Sequence, residues 1–286
     1  MSATVALGLL AAAAASVAFN VGIVLQAADA QREPAAEGLR LSLLTHLARR
    51  RRWIAGFLLG GVGFALQVAA LALAPFVVVQ PVLAVGLLLM LYLGMRMLDE
   101  RVGAAEVLGV VGITIGIGLL AWGAPTGTET VSNNIAVLWV IGTMAAVSLA
   151  PFALRGRGRL DSANFVIVAS ALAYGASNIA TKLVSDGVAG GAWVLVGAWL
   201  AVAALTGVVA LTTEMTALQR RPATFVVPVS FAIQTFLPVV LEPVYLTERW
   251  GTAALDGLPL IAGLAMVCLG AVAVAKTRAV SALVSG

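Results

Sequence analysis

The sequence predicts an all-α integral membrane protein of about nine transmembrane helices, built as two inverted four-helix repeats joined by a linker helix. Three observations carry that prediction. The first is composition: 61% of the 286 residues are hydrophobic, 10% are charged and the mean hydropathy is +1.05, which leaves too little polar surface for a water-soluble globule. The second is an internal repeat. Ala70, Leu71, Pro75, Val79, Pro81 and Val82 meet identical residues 147 positions later, LDERVGAA (98–105) lies over LTERWGTA (246–253), and Ala18, Asn20 and Leu25 match Ala176, Asn178 and Leu183. Gly109 and Gly116 likewise match Gly263 and Gly270. The third is the placement of cations, which fixes how many times the chain crosses.

The apolar runs are too long for barrel strands, and a span must hydrogen-bond its own backbone, so each run is a helix of roughly 20 residues. The first, 3–28, is Ala-rich and free of charge. The second, 53–73, starts after Arg49–Arg52 and stops before Pro75, and the third, 76–98, stops at Asp99-Glu100-Arg101. Span 104–122 is Gly-rich, and 133–153 ends ahead of Arg155. Spans 162–184, 191–213, 223–246 (opened by Pro222) and 254–276 (closed by Lys276) complete the set. The first run lacks a basic leading segment, and it exceeds the 7–15 residues of a signal-peptide core, so it is read as a retained span. The organisation that follows is a first repeat over 1–122, a linker helix with its loops over 123–161, and a second repeat with a short tail over 162–286.

With nine spans, fifteen of the seventeen Lys and Arg residues fall on one side, leaving Lys182 and Arg249 on the other. The positive-inside rule makes the arginine-rich side cytoplasmic, with the N-terminus outside and the C-terminus inside a cytoplasmic membrane. Eight or ten spans would scramble this split. Four spans per repeat plus one linker span also turn the second repeat upside down, so that Glu100-Arg101 lies inside and Glu248-Arg249 outside. The net charge of +4 is accounted for by these boundary cations, which suit anionic inner-leaflet lipids at ~1 kcal/mol per basic residue, rather than nucleic acid. LSLLTHLARRRRW reads as an amphipathic piece lying on the inner leaflet, with His46 at its surface. A homodimer is one assembly the chain allows.

Cys268 is the single cysteine, which excludes an internal disulfide and a metal–thiolate site. Neither a His/Glu metal spacing nor a Ser–His pairing occurs within the spans, which argues against an enzyme, and no nucleotide-binding motif is present, so no cofactor is expected.

Polar residues inside spans are few, and a charge at a helix centre costs ~2.5–3.5 kcal/mol on insertion scales, so each is a candidate. Glu214 lies eight residues before Pro222, roughly 12 Å deep at 1.5 Å per residue. Its repeat partner, Gln67, lies equally deep before Pro75. The pair is a candidate central site in which Glu214 binds a cation or a proton. The alternative is that Glu214 reaches Arg220 or Arg221 at the interface. Glu242, before Pro243, is a second acid about 9 Å deep, or else an interfacial carboxylate. Asn178 and Lys182 share a helix face at i, i+4. The lysine either holds an anionic substrate group or snorkels outward, and Asn20 is the asparagine's counterpart. Pro81 and Pro228, with Gln80 and Gln234 nearby, interrupt their helices and mark cavity walls, because freed carbonyls are tolerated only beside protein or water. Gly56, Gly60 and Gly63, and Gly109, Gly112 and Gly116, form small-xxx-small packing faces.

These residues resemble the drug/metabolite transporter superfamily. The resemblance is carried by a polar-tipped first helix (AFNVGIVLQ), an A-L-x-x-x-P turn, a Q-P or V-P helix start, and an acidic-Arg boundary before a Gly-rich last helix. From Trp53 to Trp122 the chain is most similar to the NIPA magnesium-transporter (EamA-type) branch, with its A-P-x-x-x-x-x-P pairing. It departs from that branch at Gly63-Phe64, where the branch has Gly-Glu. The resemblance implies a secondary carrier moving a small solute or ion by alternating access, with Glu214 and Glu242 as the acids if the ion is magnesium. A membrane scaffold is the remoter reading, since it would not require an inverted duplication.

Overall fold

The computed structural model describes residues 3–123, 134–154, 162–245 and 254–284 of the chain. Among these the protein is all-helical: α1 (Ala3–Ala30), α2 (Leu41–Leu47), α3 (Arg51–Leu73), α4 (Phe76–Met97), α5 (Ala104–Gly123), α6 (Asn134–Ala153), α7 (Ala163–Ala189), α8 (Trp193–Arg220), α9 (Ala223–Tyr245) and α10 (Leu258–Val284). Eight of the long helices are apolar and long enough to cross a membrane, and α9 is apolar over its described part, Ala223–Leu237. The chain is an all-α integral membrane protein, as its composition requires.

Helix boundaries follow the sequence reading closely except at three ends, where α7 runs to Ala189 rather than 184, α10 to Val284 rather than 276, and α8 well past 213. The helix expected over 191–213 runs on to Arg220. Its last turns contain Thr212, Thr213 and Thr216, whose hydroxyls donate to the carbonyls of Val208, Val209 and Thr212 at 2.7 Å. A polar side chain that returns its hydrogen bond to the i−4 carbonyl lowers the hydropathy without ending the helix.

Close backbone approach sets the packing. α1 lies antiparallel on α3, where Gly22 and Gly56 meet so tightly that a Cβ on either would fall 2.7 or 2.5 Å from the other's carbonyl oxygen. α7 lies antiparallel on α8, joined by Ser170 Oγ donating to Ala210 O (3.2 Å) and Ser177 Oγ to Ala203 O (3.0 Å). The third extensive seam joins helices far apart in sequence, α5 against α10. A Cβ on Gly109 would lie 2.7 Å from Gly270 O and one on Gly270 2.5 Å from Gly109 O, while Gly116 and Gly263 exchange the same contact at 2.8 and 2.7 Å. Not every glycine expected to pack does so. Gly60 has no neighbour within 4 Å of an added Cβ and borders a cavity instead, and Gly142, outside those faces, is equally open.

The arginine-rich end of the bundle is tied together by Glu100. In the α4–α5 connection Asp99 adopts φ 54°, a conformation a short polar side chain tolerates, and this turns Glu100 across to α9. Glu100 accepts from the N–H groups of Ala223 (2.7 Å) and Thr224 (2.8 Å), from Thr224 Oγ1 (2.6 Å) and from Gln31 Nε2 (3.0 Å). The carboxylate therefore caps the N-terminus of α9, supplying the orphan N–H groups of its first turn and meeting the positive end of its dipole. Glu248, its sequence counterpart, lies outside the described residues.

Two expectations need correction here. α2 does not merely lie on the leaflet. Leu43 and Leu47 are fully buried, and the Leu39 N–H donates to Thr216 Oγ1 at 2.9 Å, so the segment packs onto the end of α8. The prolines do not interrupt their helices either. Pro81 and Pro228 each sit six residues into a continuous helix.

The α5–α10 seam yields a stability prediction. Gly270→Val would drive a branched side chain into Gly109 O, and is expected to destabilise the solubilised protein by about 1–3 kcal/mol. Gly142→Ala, with nothing in the way, should match or exceed wild type. Thermal unfolding in detergent compares them.

Candidate functional site

A cavity of about 750 Å³ lies between the two halves of the bundle, lined by residues of α1, α3, α4, α7, α8 and α9. Its position follows from the seams: α1–α3 and α7–α8 form two tight pairs, α5–α10 closes one side, and the space left between them is the cavity.

Twelve of the twenty-one lining residues fall in pairs related by the sequence repeat. At an offset of 158, Ser16 corresponds to Tyr174 and Asn20 to Asn178. At 147, Phe64 corresponds to Leu211, Gln67 to Glu214, Gln80 to Val227 and Leu87 to Gln234. Both members of all six pairs line the cavity. The lining also extends along α1 and α3 toward the arginine-rich end through Ile23, Gln26, Phe57 and Leu58, whose counterparts Thr181, Val184, Ala204 and Leu205 do not line it.

Glu214 supplies the carboxylate of this lining. It is 9% exposed, and the Tyr174 hydroxyl on α7 donates to its Oε2 at 2.5 Å. The geometry comes from the α7–α8 register. The bonds from Ser170 to Ala210 and from Ser177 to Ala203 lie one turn to either side, so Tyr174 is held opposite Glu214. A hydroxyl donated to an ionised acceptor is short and strong. The carboxylate thus faces α7 and the cavity, in place of the interfacial arginines.

The other candidates divide. Gln67, Asn20, Asn178, Gln80 and Gln234 all line the cavity with Glu214. Asn20 is buried and donates from Nδ2 to Ser16 O (2.7 Å), while Ser16 Oγ donates to Leu83 O of α4 (3.2 Å). Gly86 of α4 stands against both side chains, and any larger residue there would run into them. Lys182, one turn beyond Asn178, is half-exposed and does not line the cavity. The side chain of Glu242 lies outside the described residues. Pro81 stands beside Gly118 of α5 and Pro228 is buried; their helices wall the cavity through other residues.

Two participants were missed from sequence. Tyr174 could have been found from the polar stripe Ser170, Tyr174, Ser177, Asn178 and Thr181, which recurs at helical spacing in an otherwise apolar span. Gln26 also lines the cavity, and its Oε1 is buried without a hydrogen-bond partner among the described residues. Phe64 also lines the cavity. The lining's carboxylate, Glu214, is on the opposite half.

What the cavity can hold follows from its chemistry. Its polar lining comprises one carboxylate, one phenol, one serine hydroxyl and six amides, and no lysine or arginine lines it among the described residues. Such a set offers oxygen ligands to a cation and lacks a cationic anchor for an anionic group. At about 30 Å³ per water the volume admits an ion with its hydration shell, and it also falls in the range of organic-ligand pockets.

The Tyr174–Glu214 bond is testable as a coupling. Tyr174→Phe should destabilise the protein by about 1–3 kcal/mol, by leaving a buried carboxylate oxygen without its donor. Combined with Glu214→Leu, the second change should cost much less, giving a coupling of about 0.5–3 kcal/mol in a double-mutant cycle. Additive losses would mean that the bond does not matter.

Among known proteins, the chain is similar to one named "Probable magnesium transporter NIPA9" from Arabidopsis thaliana: 34% identical over 137 residues, covering 48% of this chain and 38% of that protein. The chain thus aligns with well under half of that protein's length. No family model matches the chain. No solved structure matches it.

Proposed function

We propose that this protein is a membrane transporter, a secondary carrier whose central cavity takes a cation held by Glu214 and a surrounding set of amides. The observation that carries the reading is the lining itself: a buried carboxylate with Tyr174 and six Asn and Gln side chains, and no basic residue among those described. A charge at a helix centre costs about 2.5–3.5 kcal/mol on insertion scales, so its retention argues for a working role.

Magnesium is the first candidate. The similarity to a protein named as a probable magnesium transporter supports it. So does the chemistry, since Mg²⁺ sheds water reluctantly and binds through one or two carboxylates while keeping several waters. A roomy cavity with one acid and many amide oxygens suits a hydrated ion better than a bare one.

Alternating access between inverted repeats is the mechanism we propose. The six lining pairs at the repeat offsets support it. So does the reciprocal glycine contact, in which Gly109 meets the counterpart of Gly116 while Gly116 meets the counterpart of Gly109. A contact exchanged in that way is the signature of a two-fold relation between the surfaces. The extension of the lining toward the arginine-rich end alone fits one of two exchangeable shapes. The proposed boundaries are 1–122, 123–161 and 162–286, with the arginine-rich end cytoplasmic.

A second reading has one observation in its favour. The cavity is larger than a single ion needs, so a small organic solute, cationic or neutral, is the alternative cargo.

Proteoliposomes loaded with a fluorescent magnesium indicator test the reading. Wild type should show saturable uptake, and Glu214→Gln should lose at least 90% of it. Uptake in wild type no greater than in empty liposomes would remove magnesium and leave the organic solute. An equal rate in Glu214→Gln would remove the site.

A further inference from the structure

We infer that Gln26 and Asp29 form a second station for a divalent cation, between the cavity and the arginine-rich end of the bundle. The inference deepens the transport reading and rests on it.

The two residues are three apart on α1, hence neighbours on one helix face. Gln26 belongs to the cavity lining, and Asp29 lies one turn further toward the arginine-rich end. They are 7% and 3% exposed. Gln26 Oε1 and Asp29 Oδ2 are both buried without a hydrogen-bond partner among the described residues. Asp29 is paired only loosely with Arg32, whose Nη1 is 3.9 Å from Asp29 Oδ1, beyond hydrogen-bonding reach, with a side chain 64% exposed.

Three physical terms make Asp29 an expensive residue here. Burial penalises a carboxylate. An acceptor left unpaired in the interior costs about 1–3 kcal/mol or more. Its position in the last turn of α1, which ends at Ala30, sets a negative side chain against the negative end of the helix dipole. Contrast Glu100 at the same end of the bundle: it has four donors and the positive end of a helix. A divalent cation beside Asp29 would reverse all three terms, pairing the carboxylate, supplying Gln26 Oε1 with a partner and favouring the helix C-terminus. One carboxylate, one amide oxygen and retained waters are an ordinary ligand set for magnesium.

The station also lies where the lining is asymmetric. Val184, the counterpart of Gln26, is apolar and does not line the cavity, and residue 187, the counterpart of Asp29, is Gly187. The station therefore belongs to one end of the pathway only. Glu33, just past the end of α1, is already neutralised by Arg50 at 2.6 Å from Nη2, and Asp29 is the one carboxylate of α1 itself.

The test is Mn²⁺ binding, counted by electron paramagnetic resonance on the full-length purified protein, beside magnesium uptake in proteoliposomes. Wild type should bind two Mn²⁺, Glu214→Gln one and Asp29→Asn one, with Asp29→Asn slowing uptake at least tenfold. Gln26→Glu, which adds a second carboxylate without removing any group, should tighten the weaker site about tenfold. A single Mn²⁺ in wild type that Asp29→Asn leaves in place would overturn the station while leaving the Glu214 site intact. So would slowed uptake in Asp29→Asn with the count unchanged, or no effect of Gln26→Glu on affinity. Loss of one ion in Asp29→Asn with Glu214→Gln indistinguishable from wild type would keep the station and reject the cavity site.

Discussion

The rest of this architecture depends on backbone touching backbone where α5 crosses α10. In a bilayer the solvent is as apolar as the side chains, so no hydrophobic effect drives helices together, and close packing must do so instead. Gly109, Gly116, Gly263 and Gly270 each stand where a Cβ would collide with a carbonyl oxygen of the facing helix. This seam joins the fourth and the last long helix of the described chain, and so fixes one half against the other. With α1 locked on α3 through Gly22 and Gly56, and α7 on α8 through serine hydroxyls, the interior that remains between the pairs cannot be filled by sliding helices together. The cavity is a consequence of where the small residues are.

The same medium decides where polar groups can go. Most are neutralised locally: Thr206, Thr212, Thr213 and Thr216 of α8 return their hydroxyls to their own helix, as does Thr235 of α9. Glu100 shows the structural use of an acid, saturated with donors and joining the two halves at the arginine-rich end. Glu214 is the other kind. It takes a hydroxyl from Tyr174 and borders a space large enough for cargo. The difference in surroundings, rather than in residue type, separates a cap from a candidate binding group.

Much of this was legible in the sequence because bilayers enforce simple rules. Span length and hydropathy located each long helix but not how far α7, α8 and α10 continue, and a repeat offset of 147 paired Gln67 with Glu214, which share one cavity. The polar stripe of α7 marks the face that carries Tyr174, but its pairing with Glu214 was not legible, because that comes from the α7–α8 register, which two serine bonds set and hydropathy does not. Gly60 looked like Gly56 and Gly63 by spacing, yet only those two face a neighbour closely. α2 reads as a surface amphipath because its arginine neighbours suggest a lipid boundary. The buried Leu43 and Leu47 depend on the end of α8, which is distant in sequence. Pro81 and Pro228 suggested broken helices, but a proline early in a span can be carried by the helix around it.

The central claim is that Glu214 holds a cation in the cavity, and a map of the full-length protein soaked in Mn²⁺, phased to show the metal's anomalous signal, tests it most directly. The account predicts a peak inside the cavity beside the Glu214 carboxylate, either at direct ligand distance, about 2.0–2.6 Å, or one water further out. Peaks confined to surface carboxylates, with the cavity empty of metal at saturating Mn²⁺, would contradict it.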